Sequence, residues 1–285
     1  MMASMTAFTL NDALLKLLAG QVPLFQIIAV RGVLTTVMIG LLAWRMGMLR
    51  LNIPRPDRWL IALRCLAEAG AAYFFLTALV NMDIANVTAI LQALPLAVTL
   101  GSAVVFGEQV GWRRMTAILV GFFGVLLIVR PGLEGFTVYS LFGLATVVCA
   151  MVRDLVTRRL STSIPSLTVT FFTSLAVTTL GAVLGLGTDW VPLGPREGAI
   201  IGGASVLIIA AYLTIVMAMR AGDIAFVAPF RYTGLVAAII AGVLFFGDWP
   251  DLLTWVGSLI VVGSGLFAFW RERRLAVPRP RVPPR

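Results

Sequence analysis

Three acid–base pairs stand four residues apart inside otherwise apolar stretches: Asp12 with Lys16, Arg64 with Glu68, and Asp154 with Arg158. Spacing of i,i+4 puts both members of a pair on one helix face, where opposite charges neutralise each other. An ionisable group at bilayer depth costs at least about 2.5 kcal/mol on insertion scales, so each needs a partner or a use. As structural pairs they make insertion tolerable. As working groups, Asp12, Glu68 or Asp154 carries a proton or meets a bound amine. Arg231 differs, because no acidic residue lies within one helical turn of it. Either another helix supplies its counter-charge or an anionic ligand group does, which makes it the first candidate for holding a carboxylate. Arg31 is likewise unpaired along the chain and lies near enough to one end of its stretch to snorkel.

Uncharged groups add a second layer. Thr88, Gln92, Pro95 and Thr99 follow at spacings of 4, 3 and 4, which draws a polar stripe down one helix. Pro95 leaves a carbonyl one turn earlier without its usual donor, so the helix bends and exposes a backbone acceptor. Such a surface suits a polar ligand; Gln and Thr also hydrogen-bond neighbouring membrane helices routinely. Tyr232 takes the place of Gln92 in a second copy of the pattern described below, beside Arg231 and near Pro229. Tyr73 and Tyr212, with Phe171 and Phe172, either form an aromatic wall for a flat apolar ligand or act as packing anchors. The candidate substrate-binding set is therefore Gln92, Tyr232, Arg231, Tyr73, Tyr212 and Thr88. Gly181-x-x-x-Gly185 permits a close helix approach.

Several chemistries are excluded. The chain has no His, and Cys65 and Cys149 lie in apolar stretches without a CxxC pattern. Zinc catalysis lacks its ligands and a Ser/His/Asp triad cannot form. No G-x-x-x-x-G-K-[ST] loop is present, so ATP is not the direct energy source within this chain. No metal or cofactor is expected.

The elements that carry these residues follow from composition. The 285 residues are 60% hydrophobic and 12% charged. That is about half the charged share of a soluble domain, too little polar surface for a water-facing exterior. Apolar runs near 2–19, 22–44, 58–80, 84–106, 112–130, 137–157, 166–187, 198–219, 224–246 and 252–270 each suit a crossing of about 30 Å. The expected fold is all-α and integral to the membrane, with ten transmembrane helices and the lipid bilayer as a partner. The first run lacks a basic leader and carries Asn11, Asp12 and Lys16, so it is taken as a helix rather than a cleaved signal.

Charge gives orientation. Arg45, Arg50, Arg55, Arg58, Arg113, Arg114, Arg158, Arg159 and Arg220 fall on the side shared by the two chain ends, while the other side holds Arg130 and Arg196. The positive-inside rule then places both termini in the cytoplasm of an inner membrane. The net charge of +9 thus belongs to loops and tail beside anionic lipid, not to nucleic-acid binding. The basic, Pro-rich tail at 273–285 is expected to be disordered.

The chain also repeats itself. Asp83-Ile84-Ala85-Asn86-Val87 matches Asp223-Ile224-Ala225-Phe226-Val227 at an offset of 140, and Phe106-Gly107-Glu108 matches Phe246-Gly247-Asp248 at the same offset. Asp12-x-x-x-Lys16 matches Asp154-x-x-x-Arg158 at 142, as Pro23 matches Pro165. The halves are residues 1–132 and 137–272, each with five spans, an odd number, so they enter the membrane from opposite sides. Two five-helix inverted repeats result, an architecture recurrent among secondary transporters.

With ten spans, the Asn11-Asp12-Ala13-x-x-Lys16 start and the block from Ala93 to Glu108, the chain resembles the EamA family of the drug/metabolite transporter superfamily. The resemblance implies a cavity lined mainly by spans 1–4 and 6–9. It implies a secondary transporter working by alternating access on a small-molecule substrate, with amino-acid export, aromatic amino acids included, as the leading expectation. Carriers of riboflavin- or S-adenosylmethionine-like metabolites are the alternative. A membrane enzyme acting on lipids is the competitor of another class. Its acid/base groups should gather at the interface, whereas Asp189, Glu197, Asp248 and Asp251 are scattered without His or Cys companions.

Overall fold

The computed structural model describes residues 1–50, 52–131, 137–161, 163–221 and 228–276. Among them every regular element is helical: α1 (Met2–Lys16), α2 (Leu24–Arg45), α3 (Arg55–Asn81), α4 (Ile84–Leu91), α5 (Leu94–Phe106), α6 (Trp112–Val129), α7 (Val138–Arg159), α8 (Ser166–Gly185) and α9 (Pro195–Ala221). A 3-10 turn (Ala228–Tyr232), α10 (Thr233–Ala241), a π-helical turn (Gly242–Phe246) and α11 (Leu252–Ala276) follow. Asp223–Val227 of the repeat match, the boundary at 132–136 and the tail from 277 lie outside the described residues.

Among the described residues nine helical segments are long and apolar enough to cross a membrane. The expected first span is the exception. α1 has 15 residues, which cover only about 22 Å of the roughly 30 Å hydrocarbon core. Beyond Lys16 the chain continues through turns to Gly20, and the Lys16 side chain reaches Met82 and Asp248, both between helices.

Local chemistry sets the helix ends. Pro23, Pro54 and Pro165 hold extended backbone just before α2, α3 and α8, and prevent those helices from starting earlier. At the other pole, Gly107 and Gly247 adopt φ of +68° and +70° to end α5 and the π-helical turn. Only glycine takes that conformation without cost. The segment Ile84–Phe106 breaks at Gln92-Ala93, with Pro95 in the first turn of α5, where the sequence expects a bend. In Pro229–Phe246, regular α-helix begins at Thr233, one residue after Tyr232.

Lipid-facing surface is plain on α2, where Val33, Val37 and Leu41 recur one turn apart and are more than half exposed. Trp44, Trp59 and Trp112 stand exposed at one end of the bundle and Trp249 at the other, as interfacial aromatics do. Inside, α3 lies on α7 as α1 lies on α9; α3 also meets α8 as α2 meets α9; α1 meets α10 as α4 and α5 meet α7. The remaining main contacts, α2 with α8, α6 with α11 and α4 with α10, join corresponding crossings of the two halves.

Small residues permit the closest of these. A Cβ at Gly124 of α6 would come within 2.9 Å of the Gly257 carbonyl of α11, and one at Gly181 of α8 within 2.7 Å of the Ala29 amide of α2. The Gly181-x-x-x-Gly185 motif therefore serves packing, as its spacing suggests. Gly124→Ala is expected to lower stability by about 1–3 kcal/mol through overpacking. Gly263→Ala, where nothing lies within 4 Å of the added carbon, should be neutral or slightly stabilising. Thermal unfolding of the two variants in detergent distinguishes them.

Candidate functional site

Arg153 of α7 organises the middle of the bundle. Its Nη1 lies 3.3 Å from Glu68 of α3, and its Nε donates to Asp154 at 2.8 Å. One turn further along α3, Arg64 donates through Nε to the Thr157 hydroxyl at 2.8 Å, while its Nη1 is buried without a partner. On the α1 side, Arg31 Nη1 donates to Asn11 Oδ1 at 3.4 Å, and Asn11 in turn donates to Asp12 at 2.8 Å. Tyr212 of α9 lies within electrostatic reach of Glu68, Arg31, Arg64 and Arg153. Two chains of polar contact, Asp12–Asn11–Arg31 and Asp154–Arg153–Glu68, thus approach each other across Tyr212.

Between them opens a cleft walled by α2, α3, α8 and α9, with about 470 Å³ of empty space, part of it open. Arg31, Glu68 and Tyr212 line it together with Thr35, Thr173 and Ser174. The Thr35 hydroxyl is buried and unpartnered. A cation and a carboxylate therefore line the same small space, an arrangement that can hold a polar or zwitterionic ligand.

Charges expected to pair along single helices pair between helices instead. Lys16 turns from Asp12 to the Met82 carbonyl, 2.6 Å away, and to Asp248 at 3.4 Å. Arg158 leaves Asp154 for Glu108 at 2.9 Å and the Ser102 hydroxyl at 2.5 Å. Glu68 takes Arg153 rather than Arg64. Side chains one turn apart on a helix can meet, but a neighbouring helix at 8–10 Å offers long cations an equally reachable partner.

Other sequence candidates separate into groups. Arg231 lies within electrostatic reach of Asp154 and Arg153, so it borders the central charges from the α10 side. Its neighbour Tyr232 turns away: it is 6% exposed, its ring abuts Gly265 of α11, and its hydroxyl has no partner. Gln92 and Thr88 sit half-buried around the α4–α5 break, outside the cleft lining. Tyr73 stacks on Phe25 at 6.1 Å and meets Phe74 and Phe142, whereas Tyr212 meets Phe8 edge-on at 5.3 Å. Phe171 and Phe172 contact each other. Tyr73, Tyr212, Phe171 and Phe172 thus fall in separate clusters, and of these four Tyr212 lines the cleft.

The family model for EamA-like transporters matches residues 1–130 and again 137–270. This chain belongs to that family. Among curated relatives, a riboflavin transporter from Vibrio cholerae is 32% identical over 66% of this chain and 65% of its own length, so the match spans just under two thirds of that relative. A pseudopaline exporter from Pseudomonas aeruginosa is 27% identical over 92% of this chain and 91% of its own. An S-adenosylmethionine uptake transporter from Rickettsia prowazekii is 21% identical over 95% and 91%. A solved crystal structure superposes with a TM-score of 0.61, covering 96% of this chain and 97% of that one at 23% identity, a likeness of fold. The chain is accordingly a multi-pass membrane protein of a transporter family.

Within this EamA-family bundle, residues that sequence reasoning passed over carry much of the site. Arg153 has an acidic neighbour only at i+1, a spacing that does not predict contact. Asn11, Thr35 and Ser174 look like ordinary helix residues until the helices are assembled. Arg31, expected to snorkel outward, instead faces inward because Asn11 and the cleft offer it polar company.

A second charge cluster lies at the Lys16 end of the bundle. Asp83, between α3 and α4, is pushed to a higher pKa by burial first and by Asp248 next, with Lys16 opposing. Burial acts on Asp251 in the same sense, but hydrogen bonds from Arg130 and Thr254 outweigh it and hold its pKa below the ordinary value. For a carboxylate depressed by folding, stabilisation is present above the unfolded pKa and disappears as pH falls through the folded one. Asp251→Asn should therefore cost less than about 1 kcal/mol at neutral pH, because the carboxylate is half exposed. The cost should vanish on acidification well below about pH 4. Melting midpoints across pH test this.

Arg153→Met is expected to cost about 3 kcal/mol by removing the cation that Glu68 and Asp154 share. Adding Glu68→Gln should recover part of that loss. Chemical or thermal unfolding of the single and double variants measures the coupling.

Proposed function

We propose that this chain is a secondary transporter of a small organic metabolite, working by alternating access with the cleft between α2, α3, α8 and α9 as its substrate site. The observation that carries the reading is Arg31 and Glu68 facing one cleft beside Tyr212. A zwitterion presents a carboxylate to the first and an amine to the second, each at the strength of a charge-assisted hydrogen bond. Amino-acid export is the reading that suits this arrangement best, with Tyr212 toward an aromatic or apolar side chain. In the same reading Asp12 and Asp154, joined to the cleft residues through Asn11 and Arg153, are the further carboxylates able to take a proton during turnover.

An inverted pair of five-helix halves, with α1 as a short tenth crossing, underlies the proposal. Support comes from the helix contacts, which recur when the halves are exchanged. The basic residues of alternate loops support cytoplasmic termini in a bacterial inner membrane. A second reading, a flat heteroaromatic substrate such as a flavin, is favoured by the Phe25–Tyr73 stack on α2 and α3 and by the riboflavin transporter among the relatives.

Flux into proteoliposomes decides between them, with a panel of amino acids, flavins and S-adenosylmethionine, each with and without a proton gradient. A saturable amino-acid flux is expected. Arg31→Met and Glu68→Gln should each weaken apparent affinity by about tenfold, the worth of one hydrogen bond to a charged group. Saturable flux confined to flavins would select the second reading. Wild-type affinity in both variants would remove the cleft from consideration.

A further inference from the structure

Lys16 and Arg158 are repeat counterparts, and the structure gives them the same pair of partners built from different halves. Lys16 closes α1, pairs with Asp248 at 3.4 Å and lies over the Phe246 ring at 4.9 Å. Arg158, near the end of α7, pairs with Glu108 at 2.9 Å and lies over the Phe106 ring at 5.3 Å. Both acids follow a Phe-Gly step whose glycine is left-handed, at φ +68° for Gly107 and +70° for Gly247. That turn folds the acid back toward the ring it follows, so one cation meets both. Each contact crosses between halves: Lys16 of the first reaches the second, and Arg158 of the second reaches the first.

The two contacts stand at opposite ends of α3. At its start, Asp57 accepts from the Ser161 amide at 3.1 Å, three residues beyond Arg158. Just past its end, the Met82 carbonyl accepts from Lys16 at 2.6 Å. α3 has 27 residues, about 40 Å of helix at 1.5 Å per residue, enough to span the bilayer. The cleft lies between these ends, and both contacts are formed at once.

We propose that Lys16–Phe246–Asp248 and Arg158–Phe106–Glu108 are the two gate latches of the transporter, one for each face of the membrane, which open in turn. The inference rests on the alternating-access reading above. The halves cannot part at one end without breaking the latch there, and the latch at the other end then serves as the closed hinge. Using the same three groups twice gives the two closed ends comparable strength, so substrate binding need supply only a small bias to exchange them.

Accessibility of a thiol in the cleft tests this without a substrate. Thr35→Cys is introduced with Cys65→Ala and Cys149→Ala, and a membrane-impermeant maleimide is applied to one face at a time, in right-side-out and inside-out vesicles. Asp248→Asn is expected to raise labelling from the Lys16 face, and Glu108→Gln from the Arg158 face, each by about fivefold, the upper range for a single partly exposed ion pair. Exchanging charges, Lys16→Asp with Asp248→Lys or Arg158→Glu with Glu108→Arg, should return labelling toward the parent pattern. Increases from the same face in both neutralised variants, or no change in either while the proteins remain folded and monodisperse, would overturn the proposal. Absence of flux for every compound in the substrate panel would leave this labelling result intact, so the two readings fail separately.

Discussion

A guanidinium taken out of water must find its hydrogen-bond acceptors in protein, because hydrocarbon supplies none. Arg153 meets that demand with two carboxylates from two helices, Glu68 of α3 and Asp154 of its own. The contact fixes which face α3 turns to α7, and with it the placement of Arg64, Thr157 and the cleft wall at Ala72. Lipid tails are as apolar as leucine, so burying Leu and Val does little to choose between helix partners here. Choice falls to the polar pairs and to small residues. The Gly124–Gly257 crossing of α6 and α11 lets backbones touch at one edge, while charges set rotation in the middle.

Satisfaction of the central charges is uneven, and the unevenness follows the cleft. Arg153 is held on two sides. Arg31, by contrast, has one long hydrogen bond to Asn11, Arg64 keeps a buried nitrogen without a partner, and Thr35 an unpartnered hydroxyl. In a low-dielectric interior such groups are costly when alone. A ligand that supplies the missing acceptors relieves that cost, which is a source of affinity that a fully paired network lacks. Stability and the proposed binding therefore draw on different members of one network, Arg153 serving the first and Arg31 left open to the second.

Composition and period were enough to place nine of the ten expected spans on helices long and apolar enough to cross a bilayer, since a run of some 20 apolar residues admits few alternatives. They also showed the bend near Pro95, a consequence of one missing donor. Pairing of charges was not legible in the same way. The i,i+4 rule ranks partners along one helix, and Asp12–Lys16, Arg64–Glu68 and Asp154–Arg158 all satisfy it. Which neighbour Lys16 chooses depends on how α1 is rotated against the ninth crossing, a quantity fixed by packing over the whole interface. The repeat nevertheless contained the answer in two pieces. Lys16 and Arg158 correspond at one offset, and Phe106-Gly107-Glu108 and Phe246-Gly247-Asp248 at another; the fold joins each cation to the motif of the opposite half. Among the described residues span length fell short at α1, whose helix has 15 residues.

The break between α4 and α5 bears on the proposed latches. At Gln92-Ala93 both residues keep right-handed helical angles but the regular ladder is interrupted ahead of Pro95, so Ile84–Phe106 runs as two shorter rods. α5 runs from the break to Phe106, and α10 with its π-helical turn runs to Phe246. Each rod therefore carries, at its far end, the aromatic and acidic partners of one latch. An unbroken helix would have to tilt as a whole to release its end, dragging contacts at the opposite face with it. A rod pivoting at Ala93 or Tyr232 can release one end while α4, packed on α7 and α10, stays in place. Independence of the two ends is what alternating access requires, and the interrupted ladder at Gln92-Ala93 supplies it in the backbone itself.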